Sequence, residues 1–279
     1  SASDMEVRTT DRAIARGPLR MEGGTLNILD DGEPNRISKA EVVSIAIGSP
    51  REIDNWSFKV ALGANFRTGN VEQIDYNARA TIKRQTAANR FYWDYLGSFS
   101  ETDEIETSNS HRSYSYFDLF LSNRFFFRPI GGEYFRDPFQ NIAHRLTLGS
   151  SLGYKLIDTK DFAVDITAGP AWQTLEYVTV AQGRSRSQSS FGGIFTALVE
   201  WDITGDIDFT GTYRAQVAPS DTGGLSLHAD NTLELELTDA IDLNVSLIWD
   251  RTGSPAADSD GNTPDQDDFR LIFGLGLEL

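Results

Sequence analysis

From Asn55 onward, apolar side chains recur at every second position in runs of roughly 10 to 14 residues, the length a tilted strand needs to cross a bilayer. A period of two places alternate residues on opposite faces of a strand, so each run has one apolar face. Trp56, Phe58, Val60, Leu62, Ala64 and Phe66 alternate with Ser57, Lys59, Ala61, Gly63, Asn65 and Arg67. The pattern returns in 74–82, 146–156, 162–172, 191–201, 207–217, 225–237, 241–249 and 269–279. Segments 91–100, 113–122 and 125–135 also read as extended, although the facing of the last two is mixed. The total is about twelve strands with no helical stretch between them.

Alternation alone fits a soluble sandwich as well as a membrane barrel. Run length favours the barrel, because soluble strands usually stop at about five or six residues. Connection lengths point the same way. Long polar stretches near 101–110, 136–141, 178–188, 218–224 and 251–267 alternate with tight ones near 86–89, 122–124, 158–161, 202–206 and 238–240. That is a meander with short turns at one end and surface loops at the other, the hairpin at Gly69-Asn70 being a short outer loop. The polar faces carry Gly63, Gly149, Gly153, Gly169, Gly192, Gly274 and Gly276, which suits a narrow lumen where small residues make room for charged ones. Trp56, Trp172, Trp201 and Trp249 sit near strand ends, as interfacial girdles do. The fold class is therefore all-β: a transmembrane antiparallel barrel over 55–279. Arginine at Leu148 or Val245 should hinder assembly, and at Ser151 or Ser246 should be tolerated better.

Residues 1–50 differ. Short apolar groups around Val7, Leu19, Leu26–Leu29 and Val42–Ile47 are separated by Gly23-Gly24 and Asp31-Gly32, and Gly48-Ser49-Pro50 punctuates the end. They read as a small β-module joined to the barrel by a linker, on the periplasmic side. The start, Ser-Ala-Ser-Asp-Met, has no basic segment followed by an apolar stretch, so any leader is expected to have been removed.

Acidic residues number 41 against 25 basic ones, a net charge of −16, which repels phosphate backbones and argues against nucleic-acid binding. The absence of cysteine removes thiol catalysis, disulfides and Cys-based zinc sites.

Several stretches, taken in order, resemble the salt-induced outer-membrane protein (YdiY-like) family. They are Trp56 with Gly63-Ala64-Asn65-Phe66-Arg67-Thr68-Gly69-Asn70, then Arg136-Asp137-Pro138-Phe139-Gln140, then Arg145 to Tyr154, then Ala168-Gly169-Pro170. The segment from Gly17 to Ile45 is similar to the small module that precedes the barrel in some members. The resemblance implies a Gram-negative outer-membrane barrel with no defined role and no catalytic motif to carry over. It also implies outer-membrane lipid and lipopolysaccharide as surroundings, with a second copy or an envelope protein meeting residues 1–50. The ending Gly276-Leu277-Glu278-Leu279 departs from the aromatic terminus common in such barrels.

Candidate chemistry is sparse. His111, His144 and His228 lie near strand ends with no nucleophile motif around Ser150 or Ser151, so they read as loop or girdle residues and the chain as no enzyme. Asp258, Asp260, Asn262 and Asp265 have the spacing of oxygen ligands for calcium but lack the closing glutamate of an EF-hand. A solvated acidic loop is the competing reading. The run Glu101–Glu106 reads as solvated.

The remaining site is the lumen. Lys59, Arg67, Arg79, Lys83, Arg145, Lys155, Arg214 and Arg270 point inward with Asp75, Asp94, Asp165, Glu200, Asp208, Glu234, Glu236 and Asp250. Rings of charge can line a narrow passive channel for small polar or charged solutes. Opposite charges can instead pair and plug the barrel, leaving an anchor or assembly element that binds an envelope partner. Twelve strands lie between filled eight-stranded barrels and open sixteen-stranded ones, so the channel is favoured only slightly.

Overall fold

The computed structural model describes every residue except 1–3, 23–24, 31–32, 49–50, 70–71, 239 and 279. The turns expected at Gly23-Gly24 and Asp31-Gly32, Ser49-Pro50 of the linker, Asn70 and Leu279 lie outside the described residues.

Five short strands form the amino-terminal module: β1 (Asp4–Thr9), β2 (Ile14–Glu22), β3 (Thr25–Asp30), β4 (Glu33–Ser38) and β5 (Val42–Ile47). They form one sheet in the order β4-β3-β2-β1-β5, a meander whose last strand returns to pair with the first. The return is made by a single 3-10 turn, Lys39–Glu41, closed by a reciprocal cap between Ser38 and Glu41. β2 pairs with β1 through Ile14–Pro18 and with β3 through Leu19–Glu22. Gly17, near the end of the first ladder, has a φ of 149° that suits glycine. Val7, Ala15, Leu26, Ile28 and Ile37 close a small apolar core, with Leu19 and Val42 against it.

Twelve strands close the barrel: β6 (Trp56–Arg67), β7 (Gln73–Gln85), β8 (Asn89–Thr102), β9 (Ile105–Phe120), β10 (Phe125–Asp137), β11 (Ile142–Asp158), β12 (Phe162–Tyr177), β13 (Ser187–Thr204), β14 (Ile207–Val217), β15 (Leu225–Thr238), β16 (Ile241–Thr252) and β17 (Asp267–Glu278). Consecutive strands pair antiparallel around the ring. The ladder that closes it, β17 to β6, is short and runs only from Leu275↔Leu62 to Glu278↔Lys59.

The alternation fixes facing. Large apolar side chains such as Phe191, Leu152 and Phe273 stand on the outer surface at 81%, 66% and 59% exposure. Ser151, Thr167, Thr196 and Asp250 are buried within. The outer aromatics pair across strands, Trp249 stacking on Phe269 and Phe162 meeting Trp201 edge-on.

Two expectations are corrected. The stretch 101–110 is not a long loop: β8 and β9 continue to a two-residue turn, Asp103-Glu104, both residues with positive φ. A hairpin that projects beyond the membrane can carry polar residues on both faces, which hides its period. The inward glycines also do more than make room for charge. A Cβ on Gly169 would lie 1.9 Å from the Ser150 carbonyl oxygen, so glycine there lets neighbouring backbones approach closely. At Gly153 the same atom would strike the Phe126 ring, an aromatic and not a charge.

The module sits at the barrel end that carries the tight turns. Arg8 Nη1 donates to the carbonyls of Ala88 and Phe120, each at 3.0 Å, and Ser44 Oγ donates to the Ala87 carbonyl. Val43 is buried with Phe120 and Phe126 of the barrel. At the other end Asn141, in the left-handed region, ties two loops together. Its side-chain amide nitrogen donates to the carbonyls of Thr179 and Ala256, and its side-chain oxygen accepts from the Thr179 N–H.

Leu148→Arg or Val245→Arg is expected to cost about 2–4 kcal/mol near the membrane midplane, read by a folding titration in bilayers. Ser151 and Ser246 are each only 5% exposed in a filled lumen, so arginine there is expected to be damaging through overpacking. The tolerant inward position is Thr210, which lines an open cavity, and Thr210→Arg should fold close to normally.

Candidate functional site: the charged lumen

The middle of the barrel is filled by ion pairs. Glu133 of β10 meets Arg112 of β9 and Arg214 of β14 at 2.7 Å each, and Arg145 of β11 at 3.4 Å. Arg112 reaches on to Asp250 of β16 at 2.6 Å. Asp250 also takes Arg270 of β17 and, at 2.8 Å, Nδ1 of His228 of β15. A second cluster joins Arg79 to Asp94 and Asp230 at 3.0 Å. A third joins Asp118 to Arg128 at 2.7 Å and to Arg90 at 2.8 Å, with Arg90 also on Asp165.

Aromatic rings complete the packing. Arg112 lies 4.0 Å from the Phe135 ring centroid, Arg128 3.7 Å from Tyr116 and Arg214 4.1 Å from Tyr114. Such stacking suits the flat, weakly hydrated guanidinium group. The Arg112 Nη1–Glu133 Oε2 contact is close, yet neither atom has a well-aligned hydrogen bond. It therefore acts through charge more than direction. Arg112, Glu133, Arg214 and Asp250 are all 5% exposed or less.

Cavities lie on either side. The one toward the tight turns, about 440 Å³, is lined by Lys59, Arg79, Lys83, Glu200, Thr210 and Glu234 among others. The one toward the long loops, about 680 Å³, is lined by Asn65, Asp75, Ser98, Asp137, Asp268 and Arg270 among others. Between them the buried ion pairs bridge strands on opposite walls, from Arg112 of β9 to Asp250 of β16 and from Arg79 of β7 to Asp230 of β15.

The residues expected in the lumen are distributed as follows. Arg145, Arg214, Arg79 and Arg270 belong to the central network with Asp165, Asp94 and Asp250. Lys59 pairs with Glu234 and Lys83 with Glu200 at the inner cavity. Lys155 turns to Asp158 of its own strand and lies over the Phe120 ring. Asp75 accepts from Asn65 and Gln73 at the outer cavity, and Arg67 is exposed at the end of β6.

Glu133, Arg112, Arg128, Asp118 and Arg90 are absent from the sequence-derived set although they hold the network's centre. β10 carries an irregularity between Arg128 and Gly131 that reverses facing around Pro129-Ile130. The outward face of β9 carries Ser113 and Ser115, with Ser113 accepting from the Trp93 indole, so the face looks mixed. The usable signal was Arg112, Tyr114, Tyr116 and Asp118 at strict alternation. His228 is also corrected: it is a buried lumen residue, 7% exposed, and not a solvated loop histidine. His111 and His144 contact Tyr95 and Tyr134 toward the long-loop end.

In the acidic loop, Asp258 Oδ1 accepts the N–H of Asp260 at 2.8 Å and of Asn262 at 2.9 Å, while Asn262 Nδ2 donates to Oδ2. These bonds, foremost those from Asn262, hold the Asp258 carboxyl below its ordinary range. Its oxygens organise the loop itself, and Asp265 lines the outer cavity instead. Among the described residues no three His, Cys, Asp or Glu side chains converge as a metal site requires.

Glu133→Ala is expected to cost about 3–5 kcal/mol, because three arginines lose their shared counter-charge in a dry interior. Arg67→Ala, at the exposed rim, should stay within about 0.5 kcal/mol in the same denaturation series. Millimolar calcium is expected to leave protease cleavage within 255–268 unchanged.

No curated protein matches the sequence. Among solved structures, a NanC porin is similar at 13% identity and a TM-score of 0.44, over 79% of this chain and 98% of that one. A KdgM porin matches at 10% identity and 0.39, over 80% and 98%. The translocator domain of the autotransporter NalP from Neisseria meningitidis matches at 9% and 0.43, over 80% and 87%. The family described as "Protein of unknown function, DUF481" matches residues 60–278, nearly the whole barrel, and the chain belongs to that family.

Proposed function

We propose that this protein is an outer-membrane barrel with a closed lumen, which anchors its amino-terminal module at the periplasmic mouth for contact with an envelope partner. The observation that carries this reading is the buried network around Glu133 and Asp250, which spans the barrel between two separate cavities. An ion crossing this section would have to displace guanidinium groups that are paired, stacked on aromatic rings and out of contact with water. Buried ion pairs add little net stability but are costly to break, so they suit a lumen that stays shut in one arrangement.

The outer apolar face supports a membrane location, and the tight turns and module at one end support the orientation. Arg8, Val43 and Ser44 fasten the module to the turns at 86–89 and near Phe120, on one side of the mouth. The inner cavity is lined in part by the turn at Thr159–Asp161.

The alternative, a narrow passive channel, needs the Glu133 network to rearrange. Planar-bilayer recording separates the two. Well-folded full-length protein is expected to give no discrete conductance steps. Arg8→Ala should raise amide hydrogen exchange in the module and at the 86–89 turn it holds, yet leave the bilayer silent, because the closure lies in the barrel and not in the module. Stepwise conductance in the unaltered protein, with selectivity that shifts in Arg79→Gln or Arg145→Gln, would overturn the closed-lumen reading in favour of the channel.

A further inference from the structure

The ring of strands is joined unevenly. β6 continues to Arg67 and β17 begins at Asp267, yet the two share a ladder only from Lys59–Leu62 to Leu275–Glu278. Just beyond it Gly63 packs against the Phe273 carbonyl, where a Cβ would lie 2.2 Å from the oxygen. From Ala64 to Arg67 on one strand and from Asp267 to Phe273 on the other, no ladder connects them among the described residues. At about 3.3 Å per residue, the four unjoined residues of β6 span about 13 Å of wall.

The outward residues of this stretch, Phe66 on β6 and Phe269, Leu271 and Phe273 on β17, belong to the exposed apolar face of the barrel. On one side Phe66 meets Tyr76 edge-on at 5.6 Å, and on the other Trp249 stacks on Phe269, so aromatic pairs frame the opening. An open strand edge facing hydrocarbon leaves peptide groups without partners, and such backbone is tolerated in membranes only where it lines a water-filled cavity. The outer cavity borders this edge. It is lined by lumen-facing Asn65, Asp75 and Arg270 and also by Ala64, Leu271 and Phe273, which belong to the lipid-facing set of the same two strands. The lining of the cavity therefore draws on both residue sets of these two strands.

Its two halves differ in chemistry. The wall side is apolar, with Leu271 and Phe273 about 60% exposed. The lumen side is acidic. Asp75 accepts from Asn65 and Gln73 and forms no ion pair among the described residues, Asp137 is buried and caps the Pro138–Gln140 turn through Oδ1, and Arg270 is already committed to Asp250 and Asp268. The floor is the closed network, so the chamber is blind. A volume of about 680 Å³ is in the range of small-molecule sites.

We propose that the gap between β6 and β17 is a lateral port, and that the outer chamber binds a single-chain amphiphile with a cationic headgroup. The headgroup sits against Asp75, and the hydrocarbon tail leaves between Ala64 and Leu271 into the surrounding lipid. This function is separate from the anchoring role and stands whether or not the lumen conducts.

The test uses the full chain in phosphatidylcholine vesicles with chain-nitroxide-labelled dodecyltrimethylammonium, and the equivalent labelled dodecyl sulfate as the opposite charge. Electron paramagnetic resonance should show a saturable immobilised component for the cation, displaced by unlabelled cation, and no such component for the sulfate. Asp75→Asn should weaken cation binding at least tenfold. Ala64→Trp, which narrows the port, should remove the immobilised component, whereas Leu247→Trp on a closed part of the wall should leave it intact. Heat-modifiable gel mobility establishes that each variant is folded. Equal immobilisation of both charges, absence of a saturable component, or binding unaffected by both Asp75→Asn and Ala64→Trp in folded protein would overturn the port.

Discussion

In a hydrocarbon slab each peptide N–H and C=O must find a partner within the protein, and nearly everything in this structure follows from that demand. Twelve strands meet it by pairing round a closed ring, each donating and accepting on both sides. Among the described residues the β17–β6 seam is the short one, and there the unpaired edges border the outer chamber. Closure thus organises the barrel, and its incomplete stretch at this seam is where the proposed port lies.

A second demand concerns the space inside. A ring of twelve strands encloses more volume than small side chains fill, and lumen-facing positions cannot be apolar without losing the contrast that sets the facing. Here the volume is taken up by long guanidinium side chains held by carboxylates from other strands, with Arg112, Arg128 and Arg214 also flattened against aromatic rings. Arg112 shows the economy of the arrangement: it contacts Glu133 on the adjacent strand, Asp250 across the lumen and the Phe135 ring together. The pairs tie strands that are far apart in the ring, so they define its cross-section as well as blocking it.

The two mouths are covered on one side only. Toward the tight turns, the module is fastened at the β7–β8 turn and beside Phe120 and Phe126, and the inner cavity is lined by residues from β12 round through β17 and β6 to β8. Toward the loops, Phe135, Ile142, Leu175 and Tyr177 make a small apolar cover with Val180 and Ala256, whereas the chamber lies beside β17, β6, β7 and β8. Each end therefore combines a fixed side with an accessible one.

How much of this was legible in the chain depends on whether local pattern or distant pairing decides it. The period of two over β6, β7 and β11 to β17 is a local property, so barrel class, facing, the tight turns and the separate module could all be read from residues such as Trp56 to Phe66. That reading failed where the pattern was broken locally: at the facing reversal around Pro129-Ile130, on the serine-bearing face of β9, and in the acidic hairpin whose polar residues lie on both sides. Arg79, Arg145, Arg214 and Arg270 could be placed inside, because inwardness is a matter of parity. Their partners could not, since Arg112 and Asp250 stand 138 positions apart and meet only because ring closure sets β9 across from β16. Likewise, no sequence signal distinguishes strands that pair along their whole length from strands that part after four residues. By itself the sequence determined which face meets lipid in the strands whose alternation is unbroken, because that needs only parity. Whether the lumen is filled and where the wall stays open were decided by the tertiary structure, because both depend on which strands the closed ring brings within reach of one another.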